Sequence, residues 1–312
     1  MTAKRPIGTS GMDIAPLALG GNVFGWTADE EASFAILDAF VDAGGTMIDT
    51  ADVYSAWVAG HSGGESERVI GRWLNRDASK REKVVIATKV GFTEGLAPEK
   101  IFAACDSSLE RLGIDRIDLY YQHKDDESVP LADSLGAFER LVELGKIRAI
   151  GLSQFSAGRV DEAVETSRRL GLTPPCALQT WYNLVEREKF EEDLRDAALR
   201  HGLAVFPFYS LANGFLTGKY RSKEDLDKSV RGLRNVAYLE GRGMRVLHAL
   251  DDVAAETGAA PATVALAWTK TQPAITAPIA SATSMPQLAE LVAAFELDLT
   301  PDQIARLDAA SA

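Results

Sequence analysis

KVVIATKVGFTEGLAPEKIFAACDSSLERLGIDRIDLYYQH, residues 83–123, contains a β-type run, a helical run and a second β-type run in that order. KVVIATKV is rich in β-branched residues and reaches a lysine, Lys89, while DLYYQH ends on a histidine, His123. Between them KIFAACDSSLERLG repeats apolar residues at helical spacing and stops at Gly113, where a left-handed residue lets the chain turn back. A helix joining two strands predicts a parallel pair.

The same alternation extends in both directions. Strands are expected at PLALG (16–20), TMIDTA (46–51), KVVIATKV (83–90), DLYYQH (118–123), RAIGLSQF (148–155), CALQTW (176–181), LAVFPF (203–208) and AITAPIA (274–280). Helical patterns such as EEASFAILDAFVDAG and LADSLGAFERLVELG lie between them. Eight such strands suit a closed (β/α)8 TIM barrel, here with a short N-terminal β-hairpin and extra C-terminal helices. No Pro/Ser-rich linker or charge block divides the chain, so residues 1–312 are expected to form a single domain. SAWVAGHSGGESER and the segment from Leu211 to Arg242 are the irregular stretches that follow strands, and they are expected as loops at the functional end.

With 33 basic against 45 acidic residues the net charge is −12, which excludes the cationic surface of a nucleic-acid binder and disfavours an anionic membrane. Cys105 and Cys176 lie far apart without metal-ligand spacing; Cys105 is expected to pack in its helix, and no metal site is expected. Lacking a long apolar segment, the chain is expected to be cytoplasmic.

Polar side chains collect at strand ends. Asp49 is followed by Tyr54, Lys89 ends IATK, His123 ends YYQH, and Gln154 falls in GLSQF. Parallel strands bring these groups to one rim. A free phenol has a pKa of about 10, and an ammonium about 4 Å away, at an effective dielectric of about 20, favours phenolate by about 4 kcal/mol. That predicts a Tyr54 hydroxyl tuned toward neutrality by Lys89, with Asp49 holding the lysine and His123 directing a substrate oxygen. A proton donor facing a carbonyl needs a separate source of hydride, hence a redox cofactor. GGNVFG (20–25) has the wrong spacing for a Rossmann turn, so the cofactor site must be built differently.

IDTADVY, IATKVG, RLGIDRIDLYYQH, ELGKIRAIGLSQF, QTWYNLVERE and GFLTGKY, in that order, resemble the aldo-keto reductase superfamily over nearly the whole chain. The resemblance implies a (β/α)8 barrel, a nicotinamide cofactor, and a tetrad that falls on Asp49, Tyr54, Lys89 and His123. It further implies cofactor contacts at Gly21, Asn22, Ser153, Gln154, Gln179, Phe208, Tyr209, Ser210, Leu211, Lys219, Arg231, Ser281, Thr283 and Gln287, with Arg231, and Arg234 beside it, weaker candidates than Lys219. Gln154 stands where the family commonly has Asn, Phe208 where it stacks an aromatic ring on the nicotinamide, and Thr283 where Arg is common. Loss of that Arg removes a bidentate phosphate partner, which weakens strict NADP preference; NADP(H) is still favoured, with NAD(H) open. Phe24, Trp26 and Trp57 are the candidate substrate contacts, and His61 shares their loop. The expected activity is reduction of an aldehyde or ketone, or oxidation of the alcohol. The rival readings are a nicotinamide-binding regulatory subunit with little turnover and a Schiff-base barrel using Lys89.

Overall fold

A computed structural model describes residues 3–312. Two short strands, β1 (Arg5–Pro6) and β2 (Asp13–Ile14), pair antiparallel as the expected hairpin. The barrel strands follow: β3 (Ala18–Gly20), β4 (Met47–Asp49), β5 (Val85–Val90), β6 (Ile117–Gln122), β7 (Ile147–Ser153), β8 (Ala177–Trp181), β9 (Ala204–Phe208) and β10 (Ile279–Ala280). All are parallel to their neighbours, in the order β10-β3-β4-β5-β6-β7-β8-β9. The two ends of that ladder approach through a bridge between Val205 and Ile275 and a 2.9 Å bond from Thr276 N to Val205 O. The result is the (β/α)8 barrel the alternation predicts.

The helices are α1 (Glu30–Asp42), α2 (Glu65–Asn75), α3 (Ser79–Lys83), α4 (Pro98–Leu112), α5 (Leu131–Glu143), α6 (Ala157–Leu170), α7 (Glu188–Glu191), α8 (Leu194–His201), α9 (Arg242–Thr257), α10 (Pro261–Thr271), α11 (Met285–Ala293) and α12 (Pro301–Ser311). Their ends follow local chemistry. Asp29 caps α1 by accepting from Ala32 N, and Thr300 with Gln303 forms a capping box on α12. Gly113 ends α4 at φ 62°, the left-handed residue expected from ERLG. Part of SAWVAGHSGGESER is helical, because α2 begins at Glu65. The 211–242 segment holds three 3₁₀ turns and not an open coil.

Alternation along each strand sorts the side chains into inside and outside sets. Ala18, Met47, Ala87, Leu119, Tyr121, Ala149, Ala177, Ala204, Phe206, Ala277 and Ile279 fill the barrel, and Ile7, Met12 and Ile14 of the hairpin join them. The hairpin therefore supplies apolar side chains to the interior core. Gly151 is required in this packing: a Cβ there would lie 2.3 Å from Tyr121 Cδ1. Outward-facing residues such as Ile48, Ile86, Tyr120 and Ile150 pack under the helices with Trp73, Phe138 and Leu141. Cys105 is buried in that outer core and Cys176 in the interior one, and burial pushes both thiols up to about 12. Among the described residues, no helix is long and apolar enough to cross a membrane.

Candidate active site

The inward positions one step beyond the apolar layers are polar. On β4 the inward series passes from Met47 to Asp49, on β5 from Ala87 to Lys89, on β7 from Gly151 to Ser153 and on β8 from Ala177 to Gln179. His123 follows β6 in the same phase, two residues after Tyr121. Tyr54 comes from the turn after β4, held by backbone bonds from Thr50 N to Ala87 O (2.8 Å) and Asp52 N to Lys89 O (3.3 Å).

These side chains meet. Lys89 Nζ donates to Asp49 Oδ2 at 2.7 Å, to Thr50 O at 2.7 Å and to Tyr54 Oη at 3.0 Å, and Tyr54 Oη lies 3.5 Å from Asp49 Oδ2. The Tyr54 and His123 rings are edge-on, 6.1 Å apart. Asp49 and Lys89 are almost fully enclosed, so their attraction acts in a low-dielectric surrounding. Burial alone would lower the Lys89 pKa, but Asp49 and Tyr54 outweigh it and raise it, keeping the amine charged.

Tyr54 departs from the expectation of a phenol near neutrality. Its pKa is pushed up to about 12: burial raises it more than the Lys89 ammonium lowers it, and Asp49 adds to the rise. Two effects oppose the Lys89–Tyr54 attraction: the loss of water around the phenolate and the Asp49 carboxylate beside the lysine. Tyr54 consequently holds its proton at neutral pH. Burial, reinforced by Lys89, holds the His123 imidazole well below 6.5, so it is neutral under the same conditions.

The remaining expected residues fall into four groups. At the ends of β7 and β8, Gln154 sits at φ 56° and donates from Nε2 to His123 O at 3.0 Å, whereas Gln179 Nε2 donates to Asp49 Oδ1. Gln179 thus orients the tetrad carboxylate, an engagement not anticipated beside its expected carboxamide contact. Ser153 is buried next to it.

After β9 the backbone is strained, with positive φ at Tyr209, Ala212 and Asn213 (55°, 47° and 56°). Such residues cost about 1–3 kcal/mol each and persist where the surroundings hold them. Asn183 does so here, donating from Nδ2 to Tyr209 O at 3.2 Å. Ser210 Oγ donates to Pro207 O at 2.9 Å, and the partly buried Leu211 packs against the apolar core. Phe208 stays partly open and stands edge-on to Trp181, 6.0 Å away. Ser281 Oγ donates to Asn22 Oδ1 at 2.7 Å, and Thr283 donates from N (2.9 Å) and Oγ1 (3.1 Å) to Gln287 Oε1.

Gly20 and Gly21 admit no side chain: added Cβ atoms would lie 2.5 Å from Ser281 Oγ and 2.8 Å from Ser66 Oγ. Lys219, Arg231 and Arg234 form no ion pair among the described residues. Arg231 is partly buried with its guanidinium 5.3 Å above the Trp26 ring, and burial lowers its pKa. Three cations without ion pairs among the described residues and a half-open aromatic ring fit a dinucleotide, as the resemblance implies, whereas the space beside Gly20 and Gly21 is taken by Ser281 and Ser66.

The aromatic candidates divide. Trp26 and Trp57 stack edge-on at 5.5 Å, and Trp57 lies 6.0 Å from the Tyr54 ring, half exposed at the rim. Phe24 does not join them: it is fully buried in the outer core against Gly21, so its expected substrate contact is corrected to a packing role. Among the described residues, no aromatic pair or hydrogen bond joins His61 to this cluster; its backbone N donates to Val58 O at 3.0 Å. Phe92, 46% exposed and 4.8 Å from the His123 ring, and Trp181, 4.3 Å from Tyr209, were missed. Counting past the strand end would have found Trp181, the next inward position after Gln179, but not Phe92, which is out of phase with the inward series and is placed by the turn at Gly91 (φ 92°).

A parallel (β/α)8 barrel with a lysine-coupled tyrosine and a neutral histidine at the C-terminal strand ends defines a class of barrel with its site at the mouth. Within that class, residues 16–312 match the sequence profile described as the Aldo/keto reductase family, and the chain belongs to that family. It is 33% identical to "Uncharacterized oxidoreductase YrpG" of Bacillus subtilis (strain 168), over 97% of this chain and 94% of that protein. It is 30% identical to the "Probable voltage-gated potassium channel subunit beta" of Oryza sativa subsp. japonica, over 98% and 95%, and 30% identical to the "L-glyceraldehyde 3-phosphate reductase" of Escherichia coli (strain K12), over 97% and 91%.

Proposed function

We propose that this protein reduces an aldehyde or ketone to the alcohol with NADP(H) in preference to NAD(H), with Tyr54 as the proton donor. The observation that carries this reading is the 3.0 Å bond from Lys89 Nζ to Tyr54 Oη, made by a lysine that Asp49 keeps charged. When bound, the nicotinamide supplies the hydride that no side chain can. Phe208, Lys219, Arg231 and the backbone around Gly21 and Tyr209 hold it, with Ser153, Gln154, Ser281, Thr283 and Gln287 as polar neighbours.

Tyr54 keeps its proton through neutral pH and gives it to the carbonyl oxygen as charge develops there. Lys89 offsets the negative charge that then grows on Oη, and Asp49, fixed by Gln179, keeps Lys89 aimed. A neutral His123 donates one N–H to the same oxygen and sets its direction. Because Tyr54 is pushed up to about 12, it enters the reaction at pH 7 in its protonated form, the form that carbonyl reduction requires. Trp26, Trp57 and Phe92 offer an apolar rim to the rest of the substrate.

A raised Lys89 pKa is unfavourable for a Schiff-base nucleophile, so that rival loses its reagent. The regulatory-subunit reading keeps one support, the 30% identity to a protein named as a potassium channel subunit. The two are separated by following NADPH and NADH oxidation with a panel of aldehydes and ketones. Turnover with NADPH exceeding that with NADH is expected; binding of both cofactors without turnover on any carbonyl would favour the regulatory role.

A further inference from the structure

The Lys89 ammonium has three hydrogens, and each meets one acceptor: Asp49 Oδ2, Thr50 O and Tyr54 Oη. The first two bonds, both 2.7 Å, fix the rotation of the ammonium and so decide where the third hydrogen points. Asp49 supplies charge as well as direction. The Thr50 carbonyl is neutral, so its contribution is direction alone.

What holds that carbonyl lies on the outer side of the barrel. Thr50 follows the inward-facing Asp49, which turns its side chain outward toward α2. It is fully buried, and its N donates to Ala87 O at 2.8 Å. Its Oγ1 donates to Ser66 Oγ at 2.8 Å, and Ser66 Oγ donates in turn to Gly21 O at 2.7 Å. Gly21 N closes the circuit by donating to Asp49 O at 2.7 Å. Ser66, in the first turn of α2, is fully buried as well. Its close approach depends on Gly21, whose added Cβ would lie 2.8 Å from Ser66 Oγ.

The helix start is itself anchored. Glu67, next to Ser66 and equally buried, accepts from Thr88 Oγ1 of β5 and from Arg111 Nε of α4, both at 2.6 Å. Thr88 precedes Lys89 and faces the opposite way. One helical turn therefore holds both the strand that carries the lysine and the residue that takes the lysine's second hydrogen. The tie continues to the acid, because Tyr54 N donates to Ala51 O, one residue past Thr50, at 3.2 Å.

We infer that Thr50, held by Ser66, is a positioning residue for the proton transfer proposed above: the Thr50 Oγ1–Ser66 Oγ bond fixes the Thr50 carbonyl, and that carbonyl keeps the third Lys89 hydrogen on Tyr54 Oη. Without the bond, Asp49 still keeps Lys89 charged. What is lost is alignment, and misplacement of a catalytic group by about 1 Å costs up to roughly 100-fold in rate.

The inference rests on the reductase reading only for its kinetic consequence, so the test has two arms on the full chain. Thr50→Val removes the hydroxyl and keeps the carbonyl, whereas Thr50→Ser retains both. In single-turnover carbonyl reduction with NADPH, Thr50→Val should be slowed about tenfold, with a larger solvent deuterium isotope effect and an NADPH Kd within about twofold of wild type. Thr50→Ser should recover to within about threefold of wild type. Ser66→Ala should slow the step by a similar factor, and it decides the question if Thr50→Val does not fold. The double variant should be no slower than Ser66→Ala, since both changes remove one bond. A wild-type rate in Thr50→Val, a Thr50→Ser variant as slow as Thr50→Val, or full additivity in the double variant overturns the inference.

The second arm needs no substrate. In nitrogen-15 NMR spectra of the lysine ammonium groups, the signal lost in Lys89→Met belongs to Lys89. Its hydrogens should exchange with water at least about fivefold faster in Thr50→Val than in wild type or Thr50→Ser. Equal exchange rates overturn the inference. If no carbonyl is turned over, the reductase reading fails while the exchange arm still decides whether Thr50 holds the lysine.

Discussion

Replacing Lys89 by Met removes one charge from an enclosed site and nearly preserves its volume. Lys89 Nζ is 3.0 Å from Tyr54 Oη. At an effective dielectric of about 20, that separation stabilises a full phenolate by about 5.5 kcal/mol. With the proton about half transferred in the transition state, about half of this, ~2.7 kcal/mol, is expressed in the barrel's rate, a loss of about 100-fold. Asp49 loses its cation at the same time and keeps only Gln179 and Tyr54 as partners, and breaking such a buried pair typically costs ~3–5 kcal/mol of stability. Uptake of a proton by Asp49 relieves part of that cost. Single-turnover stopped-flow with NADPH and a carbonyl gives the rate, and urea unfolding gives the stability. A variant that folds and reduces the carbonyl within threefold of wild type would refute the reasoning, because the lysine would then not be stabilising charge on Tyr54.

Other consequences follow from single contacts. Gly151→Ala places a methyl 2.3 Å from the Tyr121 ring and should lower stability by ~1–3 kcal/mol, read from thermal melting, while leaving the tetrad in place. Burial first, and Glu67 second, raise the folded pKa of Asp52 to about 7, so the folded state binds its proton more tightly than the unfolded chain; its contribution is present below about pH 4 and is lost as pH rises through about 7. Asp52→Asn should therefore gain stability relative to wild type at pH 8 and not at pH 4, measured by urea titration at both. Thr283→Arg should tighten NADP(H) over NAD(H), read from fluorescence-titrated Kd values; unchanged values for both would remove Thr283 from the adenosine end of the cofactor site.

What was legible in the sequence is what alternation controls. Asp49, Lys89 and His123 fall on inward positions at strand ends, so counting residues places them at one rim. Three-dimensional enclosure is not written that way. Phe24 and Trp26 are two residues apart in one turn, yet one fills the outer core and the other faces the mouth, because the positive φ of Gly25 redirects the chain between them. The Tyr54 proton depends on how much water the site excludes, which no spacing reports. Thr50 and Ser66 come together across a loop whose paired glycines, Gly63 and Gly64, disguise the start of α2. Gln179 gave no sign that its amide would hold Asp49, since the partners lie on strands that neither neighbour nor follow each other.

The most direct measurement is single-turnover reduction of a carbonyl by Tyr54→Phe with NADPH, beside a cofactor titration of the same variant. Removing a positioned general acid slows such a step by about 10²–10⁴-fold; that loss is expected here with NADPH affinity within a factor of about two. A rate equal to wild type would show that the proton comes from elsewhere and contradict the role assigned to Tyr54.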